Sequence, residues 1–311
     1  MAPKEVASDV FHLSLNFANV YFIGRPGGAW TLVDTATPGH AQRIYEAAKQ
    51  IYGPDARPEA ILLTHGHRDH SGSAADLANF WDVPIVAHGL ELPYLTGKSK
   101  YPPPDPTVGG FMALYGRFVP AWSCDFRDRI RTLEPGVEAP GLSGWEWHHT
   151  PGHSPGHVVL FRRTDATLIA GDAITTVNLD SFFAVAMQRQ RVCGPPNPFT
   201  PDWPRAHESV RRIAELRPVT IATGHGIPMS GGKAVQQLAE LAMNLPIPAH
   251  GRYVQEPARM DENGVVFLPP APPDNLPAAA MLVGAAAAAG TMFAVAARRR
   301  KRTDRTTEPV A

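Results

Sequence analysis

A layered α/β fold is what this 311-residue sequence predicts, and three observations predict it. The first 90 residues alternate β-branched or aromatic runs with helically spaced apolar runs, in the order ββαβαβ. Hydrophobic residues make up 44% of the chain and charged ones 19%, enough apolar material for a sizeable core. Proline (32 residues) and glycine (27) are abundant, which suits a loop-rich enzyme and argues against a helical bundle.

The elements follow in order. Residues 19–23 (NVYFI) and 30–34 (WTLVD) flank the Gly/Pro turn 24–28, a β-hairpin pattern. Residues 40–52 place Ala41, Ile44, Ala47, Ala48 and Ile51 at helical spacing before Gly53. A short buried strand (60–64), a helix (71–81) and another strand (83–87) come next. Between 93 and 126 the alternation stops: YPPPDP (101–106) and Gly109-Gly110 lead into an apolar stretch, 111–122. A connection this long inside a compact domain has a functional role by default. Strands return at 129–133, 145–150, 158–162 and 168–171. Thr200 reads as the cap of a helix whose apolar face is Ala206, Val210, Ile213, Ala214 and Leu216. A strand (219–223) and a helix (232–243) complete a catalytic body spanning 1–267. A Pro-rich linker (268–277) then leads to a candidate membrane helix (278–297) and a basic tail (298–311).

Charge and cysteine content narrow the function. Lys plus Arg equals Asp plus Glu at 29 each, but the balance is uneven along the chain. From Arg298 onward six basic residues face only Asp304 and Glu308, which leaves the body mildly acidic. An acidic body argues against nucleic acid as a partner and for a small-molecule substrate. Cys124 and Cys193 form no CxxC, so a disulfide scaffold is excluded and a reducing compartment is expected. The N-terminal residues hold no apolar run of signal-peptide length, so the body is expected in the cytoplasm. Residues 276–297 carry no charge and stand directly before the basic cluster 298–302. A helix of that length would reach ~33 Å, enough for a bilayer core. Half of it is alanine, however, and a single span with its basic end in the cytoplasm would place the body outside. Membrane association through 276–302 is expected, as a span or as a helix lying at the surface, and a soluble or disordered Ala-rich tail is the alternative.

Four groups of metal-ligand type stand at strand exits. His65-Gly66-His67-Arg68-Asp69-His70 follows the strand 60–64 and packs three imidazoles and a carboxylate into six residues. His153 lies in TPGHSPGH (150–157), where His149 and His157 compete for the same role. Asp172 ends the strand 168–171, and His225 sits between Gly224 and Gly226 after the strand 219–223. A lone Asp or His at a strand end is usually structural. Four together, all at strand exits, point to one shared site.

In this order and spacing the motifs resemble the metallo-β-lactamase superfamily over residues 19–226. The resemblance implies an αββα sandwich and a dinuclear metal site, two Zn2+, with Fe or Mn as alternatives at one or both positions. Residue by residue it implies that His65, His67 and His153 hold one ion. Asp69, His70 and His225 would hold the other, with Asp172 bridging and Asp34 supporting the ligands from behind. A hydroxide shared by two cations would then attack an electrophilic carbonyl, with Asp69 orienting it and handling its proton. The core is similar to glyoxalase II and lactonases, which implies a small-molecule ester, thioester or lactone as substrate. The insert 94–122, TPDW (200–203) and GRYV (251–254) also look like stretches of a little-characterised group of bacterial metallo-hydrolases. From chemistry, 94–122 is expected to form a lid placing Phe111, Met112, Leu114, Tyr115 and Phe118 over the metals. The alternatives are a mononuclear iron sulfur dioxygenase using His65, His67, His153 and Asp172, or a phosphodiesterase or nuclease of the same superfamily.

Overall fold

The computed structural model describes residues 2–119 and 122–274. It begins with an antiparallel meander, β1 (Lys4–Ala7), β2 (Val10–Leu15), β3 (Ala18–Ile23) and β4 (Thr31–Val33). The chain then crosses over through α1 (Ala41–Tyr52) to β5 (Ala60–Leu62). It returns through α2 (Arg68–Ser71) and α3 (Ala74–Trp81) to β6 (Ile85–Ala87). The insert contributes α4 (Leu92–Leu95) and α5 (Phe111–Gly116) before β7 (Ile130–Thr132) closes a seven-stranded sheet. Strands β4 to β7 run parallel, which is why helices must cross between them.

The second sheet is built from β8 (Trp145–His149), β9 (Val158–Arg162) and β10 (Thr167–Ile169). A hairpin, β11 (Thr175–Val177) and β12 (Gln190–Cys193), carries α6 (Phe182–Met187) at its turn. Then come α7 (Trp203–Glu215), β13 (Thr220–Ala222), β14 (Met229–Ser230) and α8 (Gly232–Met243). The five strands order as β14-β13-β10-β9-β8. A last hairpin, β15 (Arg259–Asp261) and β16 (Gly264–Phe267), ends the described body.

Side-chain alternation decides how these layers stack. Val20, Phe22, Leu32 and Ile61 pack outward against Ile44 of α1 and Leu77 and Trp81 of α3. Their neighbours Tyr21, Ile23, Val33 and Leu62 face the other way, against Trp145, Val158, Leu160 and Ile169 of the second sheet. That sheet's opposite face, Val159, Phe161, Leu168 and Ile221, meets Val210 of α7 and Leu238 of α8. Both faces of each sheet are buried, so the strands read as continuous apolar runs. The result is the αββα sandwich expected of the resemblance.

Several local expectations needed correction. The helix expected over 71–81 is two helices, because Ser71 uses its hydroxyl on the carbonyls of Gly66 and His67 instead of opening a helix. The cap of α7 is Asp202, whose carboxylate accepts the Arg205 N–H at 3.0 Å. Thr200, three residues before α7, donates its hydroxyl to Pro196 O. The expected linker is held down in its described part, since Leu268 packs on the core and Arg252 donates to Pro269 O. Asp274 forms a two-pronged ion pair with Arg117, just beyond α5. The candidate membrane helix and the basic tail lie outside the described residues. Among the described residues no helix is long and apolar enough to cross a membrane.

Candidate metal centre

The strand exits of both sheets converge, and every ligand expected from the sequence lies at that convergence. After β5 the chain passes Thr64 and places His65, His67, Asp69 and His70 in one turn and α2. The β8–β9 connection brings in His153, the end of β10 brings Asp172, and the end of β13 brings His225. Two trios of ligand atoms result, His65/His67/His153 and Asp69/His70/His225, each within 4.8 Å of one another. A third grouping, His65/His70/Asp172, ties the trios together.

The first trio is tight. His65 Nε2, His67 Nδ1 and His153 Nε2 form a triangle with edges of 3.1, 2.9 and 3.1 Å. Burial, reinforced by the neighbouring imidazoles, keeps all three rings well below the usual histidine pKa, His67 at about 4. Neutral rings present lone pairs. Three lone pairs aimed at one point repel each other unless a cation sits there, and Zn–N bonds of about 2.0–2.1 Å suit such a triangle.

The second trio is charged. Burial alone would lower His70 and His225, but Asp172, Asp34 and Asp69 push His70 up, and Asp172 and Asp69 push His225 up to about 10. Asp69 and Asp172 are correspondingly held well below the carboxylate range by those imidazoles, against the cost of burial. In the protein alone, protons on His70 and His225 balance the carboxylates. A divalent cation would replace them. Asp172 Oδ2 lies 3.1 Å from His225 Nε2, 3.5 Å from His70 Nε2 and 3.6 Å from His153 Nε2, between the two trios. Asp172 Oδ1 and His70 Nε2 are buried without a hydrogen-bond partner. Orphaned donors and acceptors at the centre of a ligand cluster are what a metal would satisfy. The residues fit two ions.

Supporting contacts fix the orientation of three rings, His65, His70 and His225. Asp34 accepts the Thr64 N–H and hydroxyl, each at 2.8 Å, and pairs with His70 Nδ1 at 2.8 Å, which leaves Nε2 facing the centre. It does so in the left-handed region (φ 61°), where aspartate is among the tolerated residues. His225 Nδ1 pairs with Phe17 O and His65 Nδ1 with the Thr64 hydroxyl, so both present Nε2 inward. The competitors of His153 are engaged elsewhere. His157 takes the Asp172 N–H on Nε2 and meets the Thr150 hydroxyl through Nδ1, while His149 pairs with Pro155 O and stacks on His88. Cys124 and Cys193 are inert thiols, pushed by burial to about 12 and about 11.

Sequence reading missed Glu91. This buried carboxylate accepts the N–H of Gly66 and the hydroxyl of Tyr101 on Oε2, and the Ser154 hydroxyl and Gly156 N–H on Oε1. It thereby clamps both histidine-bearing loops and the start of the insert. Glycine is required at 66 and 156 because a Cβ there would stand 2.4 Å from Tyr101 Oη and 2.8 Å from Glu91 Cγ. Those glycines make room for the Tyr101 and Glu91 side chains. Only the four-donor cradle, visible in three dimensions, marks this glutamate.

A cavity of about 110 Å³ opens over the centre. From the insert, Tyr101, Met112, Tyr115, Phe118 and Trp122 line it, and Phe17 and Phe199 complete the wall. Phe111 packs instead on Phe182, 5.4 Å between ring centroids, and Leu114 is not among the lining residues.

The family model described as the Metallo-beta-lactamase superfamily matches residues 13–225. The chain belongs to the metallo-β-lactamase superfamily. Among relatives in this superfamily, Probable metallo-hydrolase YflN of Bacillus subtilis is 41% identical over 244 residues, 78% of this chain and 92% of that one. Probable metallo-hydrolase YybB of the same organism is 30% identical, over 63% of this chain and 74% of its own. Solved metallo-β-lactamase folds agree with the architecture. A B3 metallo-beta-lactamase with an active-site glutamic acid superposes with a TM-score of 0.54 at 23% identity, covering 79% of this chain and 88% of its own. The di-iron-bound form of TTHA1623 gives a TM-score of 0.51 at 24% identity, covering 76% and 97%.

Proposed function

We propose that the protein is a metal-dependent hydrolase with a dinuclear zinc centre, acting on a small-molecule ester, thioester or lactone. The observation that carries this reading is the pair of ligand trios meeting at Asp172 on the floor of an apolar cavity. His65, His67 and His153 would hold one ion, Asp69, His70 and His225 the other, and Asp172 would face both. Imidazole and carboxylate ligands of this kind suit zinc. When bound, such a pair of ions supplies an activated water and polarises a carbonyl. The protein's own share is positioning and proton handling. Asp69 reaches the cavity, with Oδ2 3.4 Å from His225 Nε2, where it can accept a proton and pass it to a leaving group. Tyr115, Met112 and Phe118 of the insert act as a lid that excludes water and takes the apolar part of the substrate. The C-terminal segment 276–302 is the part we assign to membrane association, from its composition alone.

Metal analysis of protein purified without added metal, run beside a panel of lactones, thioesters, esters and phosphodiesters, tests the reading. Two zinc ions per chain and carbonyl-ester turnover that chelation abolishes and zinc restores are expected. A single iron per chain, with oxygen consumption and no hydrolysis, would overturn it.

A further inference from the structure

Among the described residues the cavity wall is apolar apart from the metal centre, Thr37, the hydroxyls of Tyr101 and Tyr115, and one cation. That cation is Arg68, the residue between His67 and Asp69. Its guanidinium carbon lies 5.4 Å from the centroid of the Trp122 ring. Trp122 is itself tied down, its indole N–H donating at 3.2 Å to Ser71 Oγ, which is hydrogen-bonded to the carbonyls of Gly66 and His67. Stacking on an aromatic face orients a guanidinium without using any of its N–H donors. Among the described residues no carboxylate lies within ion-pair distance of Arg68, and neighbouring Asp69 turns toward His225. A guanidinium oriented at the exposed rim of an apolar cavity, with no partner for its donors among the described residues, is a receptor for a planar anion.

We propose that Arg68 makes this cavity selective for substrates that carry a carboxylate beside an apolar body. The proposal rests on the hydrolase reading for the word substrate, while the anion subsite itself does not. A single guanidinium matches the single charge and two oxygens of a carboxylate. Aromatic and aliphatic side chains lining the same cavity, Phe118 and Met112 among them, take the apolar body. Because Arg68 adjoins two ligands, the carboxylate would sit a short linker away from the reacting carbonyl. The substrate class is therefore a half-ester, half-thioester or carboxylated lactone with an aryl or alkyl portion.

Calorimetric titration of the metal-loaded full chain with phenylacetate and with its neutral counterpart phenylacetamide tests this. Wild type, Arg68→Met and Arg68→Lys are compared, with metal content checked in each. Phenylacetate held on the ions instead of on Arg68 would bind all three proteins alike, so the Arg68 contribution is read as the difference among them. The expected result is that Arg68→Met binds phenylacetate roughly tenfold or more weakly, with phenylacetamide changed less than twofold. Arg68→Lys should fall between, since an ammonium keeps the charge and loses the fork. Equal loss for both ligands, no loss for phenylacetate, or no binding of phenylacetate to wild type overturns the proposal. The ester panel separates the two readings. Arg68-dependent binding without hydrolysis of any ester leaves the subsite standing and removes the hydrolase. Hydrolysis without Arg68-dependent binding does the reverse.

Discussion

Glu91 is not among the ligand groups, yet both loops that carry the first trio hang on it and on its partner Tyr101. Tyr101 in turn lays its ring against His67, 4.5 Å between centroids. In Glu91→Gln the side chain keeps its shape but presents an NH2 group to two of its four donors. Tyr101 can rotate its hydroxyl to accept from it. A backbone N–H cannot: Gly66 N–H keeps only its 3.0 Å bond to the Tyr101 hydroxyl and now faces a second donor, at a cost of about 1–3 kcal/mol. Displacing the His67 or His153 loop should weaken metal binding by roughly 10–100-fold, the usual effect of losing a group that orients a ligand. Chelator competition against Co2+ checks this, together with the visible spectrum of the Co2+ form. A variant of lower Tm but unaltered cobalt affinity and spectrum would reduce Glu91 to a structural contact. The ligands themselves were legible because they stood together in short motifs at strand exits. Glu91 was not, since one carboxylate four residues after a strand resembles any surface glutamate until its donors are seen.

At the level of elements, periodicity revealed the central strands and the long helices α1, α7 and α8. It missed β1, β2, β11, β12 and α6, whose residues are only partly buried or too few to repeat. The insert's helix α5 was legible as an apolar stretch, but its orientation depends on a partner that no pattern announces. The backbone of Asp180 accepts the Phe111 N–H at the start of α5, and its carboxylate accepts from Asn197 Nδ2 at 2.6 Å, with Oδ1 buried and unpaired. Burial raises this carboxyl from 3.8 to about 6. Because the folded protein prefers the protonated form, that stabilisation is complete below about pH 4 and is lost as pH rises through about 6. Asp180→Asn is neutral at every pH. It should match wild-type stability near pH 4 and exceed it by about 1–2 kcal/mol at pH 7.5, a figure reduced for the group's partial exposure. Thermal melts at both pH values measure the gap, expected as a Tm rise of roughly 2–5 °C at pH 7.5 only. A gap of the same size at pH 4 would show that the effect is packing and not charge.

For the whole molecule, the ligands divide between the two halves of the sandwich. His65, His67, Asp69 and His70 follow a strand of the first sheet, while His153, Asp172 and His225 belong to the second. Two bound ions would therefore staple one sheet to the other. The sheets are also joined there without metal: Asn19 Nδ2 donates to Thr223 O and Gly226 O, the Tyr21 hydroxyl to Thr223 O, and Val158 N–H to Thr64 O. The inter-sheet core of Tyr21, Ile23, Leu62, Leu160 and Ile169 lies beneath those bonds. Two consequences follow, and they pull in different directions. Metal removal should not unfold the protein, because the sandwich closes on its own core. It should nonetheless lower stability, because ions that bind only the assembled site contribute about 4 kcal/mol when present at 1,000 times their Kd. For a domain of this size that is a Tm loss of roughly 10 °C. The check is a thermal melt of chelator-treated protein beside the same protein reloaded with zinc, with far-UV circular dichroism of both at 25 °C. Matching spectra with separated melting temperatures are expected. Coincident melts would mean that no ion links the two sheets, and a collapsed spectrum after chelation would mean that the apolar core between them is too weak to close the sandwich without the ions.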